Sequence, residues 1–227
     1  MSESDGSGSC ELPNERCDPP LWIDDTGDYR YLREAYYRSL DSALCGRQLL
    51  PSSLDALDAF LTPLTLLKAS LAGIPVPPHR LVDDAFSVAP PALVLAINAF
   101  QAKYRVVNDS QTLATAVAEL SHRHSAPVVI ETLAAGDTVR EFFAFKGEAR
   151  AASDRVLATR FFSVFHVPMA KLVVVEGEAG TRLAAALPVL HARKLPSAAP
   201  APAAFAEAHA PRLVAPARAA TRAARMQ

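Results

Sequence analysis

Apolar positions recur with helical spacing in several stretches of the chain and with the two-residue repeat of strands in most of the remainder. From Asp28 onward, Tyr29, Leu32, Tyr36, Leu40 and Leu44 fall on one helical stripe, with Asp28 placed to cap it and Gly46 to end it. Ser52 and Asp55 have capping-box spacing ahead of Leu54, Leu57 and Leu61. Pro63, with Thr62 as cap, then opens a second helix that carries Leu64, Leu67 and Leu71 and stops at Gly73. The prolines of IPVPPHRLV forbid helix and predict an extended edge segment.

PALVLAINAF and AKYRVV predict two strands, and NDSQTLATAVAELSHRH a helix capped by Asp109 or Ser110 with Leu113, Val117 and Leu120 inward. The stretch VVIETLAAGDTVREFFAFKGEARAASDRV, Val128 to Val156, alternates like an antiparallel meander. PVVIETL, TVREFFAF and ARAASDRV are its three strands, with turns at AAGD, where Gly136 accepts positive φ, and at KGE. RFFSVFHV and KLVVVEGEAGTR read as further strands. The pattern predicts an α+β fold of antiparallel sheets with flanking helices.

Composition sharpens the boundaries. The chain has 227 residues, half of them hydrophobic, which suffices for one large domain or two small ones. Residues 1–20, rich in Ser, Gly, Glu, Asp and Pro, predict a disordered leader, and the Ala, Pro and Arg of residues 191–227 a disordered tail. Between them lie a helical and α+β part, 21–125, and the meander, 126–190. A formal net charge of -1 gives no reason to expect nucleic acid or a membrane as partner, and no stretch is long and charge-free enough to span a bilayer. Three cysteines without CxxC spacing argue against a disulfide framework and a structural zinc site, and predict a cytoplasmic setting.

Charges punctuate the meander at Glu131, Asp137, Arg140, Glu141, Asp154 and Arg155. Taken singly, Glu131 reads as a solvated strand position, Asp137 as a turn residue, and Asp154 with Arg155 as a surface ion pair. Glu176 and Glu178, two apart in VVVEGEAG, suit either a hard cation or an exposed turn. The scattered histidines supply no nucleophile, base and orienter trio.

The order of LLKASLAGIPVPPHRLV, LVLA, SQTLATAVAEL and VVIETLAAGDTVREFFAFKGEARAASDR resembles the ATP-grasp superfamily, in particular its carboxylate-amine ligases, over about residues 64–156. The resemblance implies an ATP-grasp-like fold, divergent or truncated, with an incomplete second subdomain. It implies ATP and Mg2+ as cofactors, and a nucleotide, a small-molecule carboxylate and an amine as partners. By the same resemblance the backbone of Glu131, Thr132 and Leu133 reads the adenine edge and Asp137 holds the ribose hydroxyls. Arg155 then binds an acyl phosphate or substrate carboxylate, and Glu176 and Glu178 stand for the family's metal ligands.

The chain departs from the family's pattern at the phosphates. Ala96 stands where the family has a lysine, and INAFQAKYR contains no glycine, leaving Lys103 or Arg105 as substitute cations. Two functional expectations follow: an ATP-dependent carboxylate-amine ligase, or a catalytically inactive nucleotide-binding or protein-interaction relative. An unrelated α+β protein whose meander mimics the pattern is the third.

Overall fold

The computed structural model describes residues 21–24, 28–83, 88–98 and 103–189; the expected leader and tail lie outside the described residues. The capping box forms as its spacing predicts: Ser52 Oγ accepts from Asp55 N–H at 3.0 Å and Asp55 Oδ2 from Ser52 N–H at 3.2 Å, opening α2 (Ser53–Phe60). Asp109 opens α4 (Ser110–Leu120) by accepting from Thr112 N–H at 2.8 Å. Two other starts differ from the expectation. Helix α1 (Glu34–Leu44) begins well after Asp28, which instead holds Arg30 through two hydrogen bonds of 2.6 and 2.7 Å. Helix α3 (Thr62–Leu71) already contains Thr62, whose hydroxyl donates to Ala96 O at 2.9 Å and so ties the helix to a strand.

The buried faces of α2 and α3 are also not the leucine stripes. Helix α2 buries Ala56, Ala59 and Phe60, and α3 buries Thr65, Leu66 and Ala69, while Leu64, Leu67 and Leu71 are 40, 56 and 81% exposed. Small side chains let a helix approach a sheet closely, and Thr65 satisfies its hydroxyl internally by donating to Ala59 O at 2.8 Å. Periodicity identified amphipathic helices but picked the wrong side of each.

Two antiparallel four-stranded sheets form the body, beside a two-stranded parallel pair, β1 (Leu21–Ile23) and β2 (Gln48–Leu50). The first sheet has the order β3 (His79–Val82), β6 (Val128–Thr132), β4 (Ala92–Ala96), β5 (Tyr104–Val107). The second has the order β10 (Gly180–Leu187), β9 (Met169–Gly177), β7 (Thr138–Phe145), β8 (Glu148–Ala149). The expected meander is therefore no single meander. Strand β6 belongs to the first sheet and β7 to the second, and the chain changes sheets between residues 133 and 137.

From Ala152 on, the expected third strand ARAASDRV and most of the following RFFSVFHV form one helix, α5 (Ala152–Phe165), ended by His166 at φ 52°. Asp154, Leu157, Ala158, Phe161 and Phe165 are its buried positions, a spacing of three, one, three and four residues that is helical. The stacked rings of Phe161 and Phe165, 4.7 Å apart, pack within the core on one face of the second sheet, with Leu172, Val174, Leu183 and Ala186. The other face presents Val173, Val175, Ala184, Ala185 and Leu187 to Leu93, Leu95, Val129 and Leu133 of the first sheet. A third cluster packs α4 against the far side of the first sheet. Glu131 thus lies between the sheets, and Glu176 on the helix side of the second one.

Candidate functional site

The crossing from β6 to β7 sets the geometry. Glu131 shares its strand face with Val129 and Leu133, so its side chain enters the layer between the sheets, fully buried. Both carboxylate oxygens lack a hydrogen-bond partner. Burial pushes its pKa well above the usual carboxylate range, opposed by the nearby Arg182 guanidinium. It is not a solvated strand position.

The following four residues close on themselves. Asp137 Oδ2 accepts from Ala134 N–H at 2.9 Å, and Asp137 N–H donates to Ala134 O at 3.1 Å. The same Oδ2 accepts from Arg182 Nη2 at 2.7 Å, with the two side chains only 3 and 13% exposed. The Ala134 N–H and then the Arg182 guanidinium hold the Asp137 pKa below its ordinary value. Gly177 makes the contact possible, because a Cβ there would land on Asp137 Oδ1. Here the missing side chain serves close approach, since the φ of Gly177 is not in the left-handed region.

The backbone of the expected hinge is also engaged. Thr132 N–H donates to Pro78 O and Leu133 N–H to Pro91 O, each at 3.1 Å, and Ala134 N–H is held by Asp137. At the other end of the inter-sheet layer, Lys171 Nζ lies 2.9 Å from Glu141 Oε2. Burial, then the hydrogen bond to Glu141, pushes the Tyr104 hydroxyl up to about 12. Lys103 stands beside Ala96, whose N–H points to the Lys103 carbonyl at 3.4 Å; its side chain is exposed. Arg105 is tied to Glu119 at 2.8 Å.

The opposite face of the second sheet carries a separate cluster. Arg140 donates to Asp154 through Nη1 at 3.1 Å and Nη2 at 2.5 Å, and to Glu176 at 2.6 Å. The bonds to Glu176 and then Asp154 raise the pKa of the guanidinium, and Arg140 in turn lowers that of Glu176. Glu178 is exposed in the turn after β9, not on a strand face with Glu176. Arg155 lies on α5, half-exposed, paired with Glu148 at 3.0 Å. The structure therefore brings Glu131 and Asp137 together, and leaves Arg155, Glu176 and Glu178 off the inter-sheet face. Among the described residues no group of three or more His, Cys, Asp or Glu side chains is arranged to hold a metal ion.

Arg182, Gly177 and Lys171 are the inter-sheet residues that sequence reasoning passed over, and Glu141 was noted as a charge in the meander without a role. Arg182 had a signal, as the one charge in the otherwise apolar strand GTRLAAAL. Its partner lies 45 positions away, beyond any local pattern.

No family model matches this sequence, and no curated protein matches it. Solved structures do match the fold. The RimK domain protein ATP-grasp from Sphaerobacter thermophilus superposes with a TM-score of 0.50 at 17% identity, over 66% of this chain and 67% of that one. The chain has an ATP-grasp fold. The D-alanine-D-alanine ligase from Helicobacter pylori, also at a TM-score of 0.50 and 15% identical, is matched over 68% of this chain and 62% of its own length. The ATP-grasp fold here thus spans under two thirds of that ligase. No helix among the described residues is long and apolar enough to cross a membrane.

Proposed function

We propose that this chain is an ATP-grasp-fold protein that does not carry out ligase chemistry. The observation that carries the reading is the division of the expected site. The ribose candidate Asp137 and the metal candidate Glu176 lie on opposite faces of one sheet, each neutralised by its own arginine. A nucleotide and its metal need acidic groups on one side of the same cleft. The hinge supports the same reading, because the N–H groups of Thr132, Leu133 and Ala134 already have acceptors and offer none to a purine edge. The residues present do not fit ATP and Mg2+ in the arrangement that the family resemblance implies.

A second reading, a cytoplasmic ATP- and Mg2+-dependent carboxylate-amine ligase, is favoured by two observations. Lys103 lies beside Ala96, where a phosphate cation is expected, and Glu131 is a buried acid without a partner in the hinge strand. One experiment separates the two. The chain is titrated calorimetrically with ATP in the presence and absence of Mg2+, and ADP release is followed with pooled carboxylic acids and amines. The first reading expects no ADP above the protein-free control. Acid-dependent ADP release overturns it.

A further inference from the structure

Arg182 stands between two carboxyl groups and is bonded to one of them. Its Nη2 reaches Asp137 Oδ2 at 2.7 Å, while its Nε is buried without a partner. Glu131 is the other, fully buried, with both oxygens unpartnered, in the same inter-sheet layer. Three buried polar atoms without a partner in one layer are costly, and they belong to a donor and an acceptor that could satisfy each other. We propose that Arg182 is a partner-exchange switch, holding Asp137 in the conformation seen here and transferring its guanidinium to Glu131 in a second one, which releases the Asp137 carboxylate.

Among the described residues no group is hydrogen-bonded to the Glu131 carboxyl. Its register neighbours are His79 on β3, whose Nδ1 lies 3.0 Å from Pro77 O, and Leu93 on β4. Across the layer, β10 contributes Arg182, the 134–137 turn Asp137, and β7 and β9 the pair Glu141–Lys171, with Tyr104 of β5 on Glu141. Among the described residues, Arg182 is the cation whose charge bears on Glu131. Ionisation of Glu131 creates a buried anion, and that anion competes with Asp137 for the guanidinium. Asp137 keeps its bond from Ala134 N–H in either state, so the turn need not unfold when Arg182 leaves.

Rising pH is therefore the trigger, and side-chain carboxyl NMR of the full chain is the test. In the unmodified protein, the Asp137 carboxyl resonance is expected to show a second inflection at the Glu131 midpoint, since the two titrations share one arginine. In Asp137→Asn, which retains an acceptor for Ala134 N–H, the Glu131 midpoint is expected to fall by one pH unit or more, about a tenfold loss of proton affinity. In Arg182→Gln, the second Asp137 inflection is expected to vanish. An Asp137 resonance blind to Glu131 in the unmodified chain overturns the proposal, as does a Glu131 midpoint unmoved by a folded Asp137→Asn variant. Should that variant not fold, the inflection in the unmodified chain decides alone.

Discussion

Arg140 and Arg182 sit on opposite faces of the same sheet and are treated differently. Arg140, facing the helices, makes three hydrogen bonds to Asp154 and Glu176. Arg182, facing the other sheet, makes one to Asp137 and leaves Nε unpartnered beside an unpartnered acid. A guanidinium with a bidentate partner and a second carboxylate is a clamp, because no single bond can be lost cheaply. A guanidinium with one partner and a second acid in the same layer has an alternative partner to turn to. The helix face of this sheet is thus built for rigidity, and the inter-sheet face for change.

Breaking the clamp gives the largest expected effect. Arg140→Leu leaves Asp154 buried without its cation and is expected to cost about 2–3 kcal/mol in urea unfolding, below the ~3–5 of a fully buried pair because Arg140 is one-third exposed. An undisturbed midpoint would show that the clamp contributes nothing. Next is Gly177→Ala, whose Cβ displaces the Asp137 carboxylate from Arg182. Overpacking of this kind costs about 1–3 kcal/mol, read from the same unfolding curves, with the Asp137–Arg182 coupling lost in NMR. Stability equal to the parent's would mean that the pair has another geometry in solution.

The two glutamates should respond to pH in opposite directions. Glu131 has a raised pKa when folded, so its cost is absent below its unfolded value of about 4.5 and grows as pH rises toward the folded one. Glu131→Gln is therefore expected to stabilise the protein at pH 7, by about 1 kcal/mol or more, with the gain vanishing near pH 4. Glu176 has a lowered pKa, so its contribution is present above about 4.5 and lost as pH falls through the folded value. Glu176→Gln should destabilise at pH 7 and matter less at low pH. Parallel rather than opposed pH profiles for the two variants would break the comparison. Smallest is Leu67→Ala on the exposed side of α3, expected to stay within about 0.5 kcal/mol. A larger loss by thermal melting would show that the leucine stripe is covered in solution.

The existence of α2, α3 and α4, the strands β4 to β7 and the ATP-grasp order of elements were legible in the chain. Caps and turns act within a few residues, and so leave local marks such as Ser52 with Asp55 or the 134–137 turn. Helix α5 was misread because FF and V-rich segments suit strands by propensity, although the Leu157, Phe161, Phe165 spacing was helical. The leucines of α3 were misassigned because periodicity defines stripes without saying which one meets the sheet. Glu131 and Asp137 were singled out through the ATP-grasp resemblance alone, because taken singly they read as a solvated strand position and a turn residue.

What only the tertiary structure decided is which charges share a face. Arg140 was read without a role and Arg182 was passed over, while the family resemblance put Glu176 and Asp137 in one site. Their partners lie 14 to 45 residues away, and alternation of side chains across a sheet separates neighbours in the sequence by the full thickness of the layer. The sequence by itself determined which segments form helices and turns, since those depend on near neighbours. The pairing of each arginine depended on strand register, which no local pattern encodes.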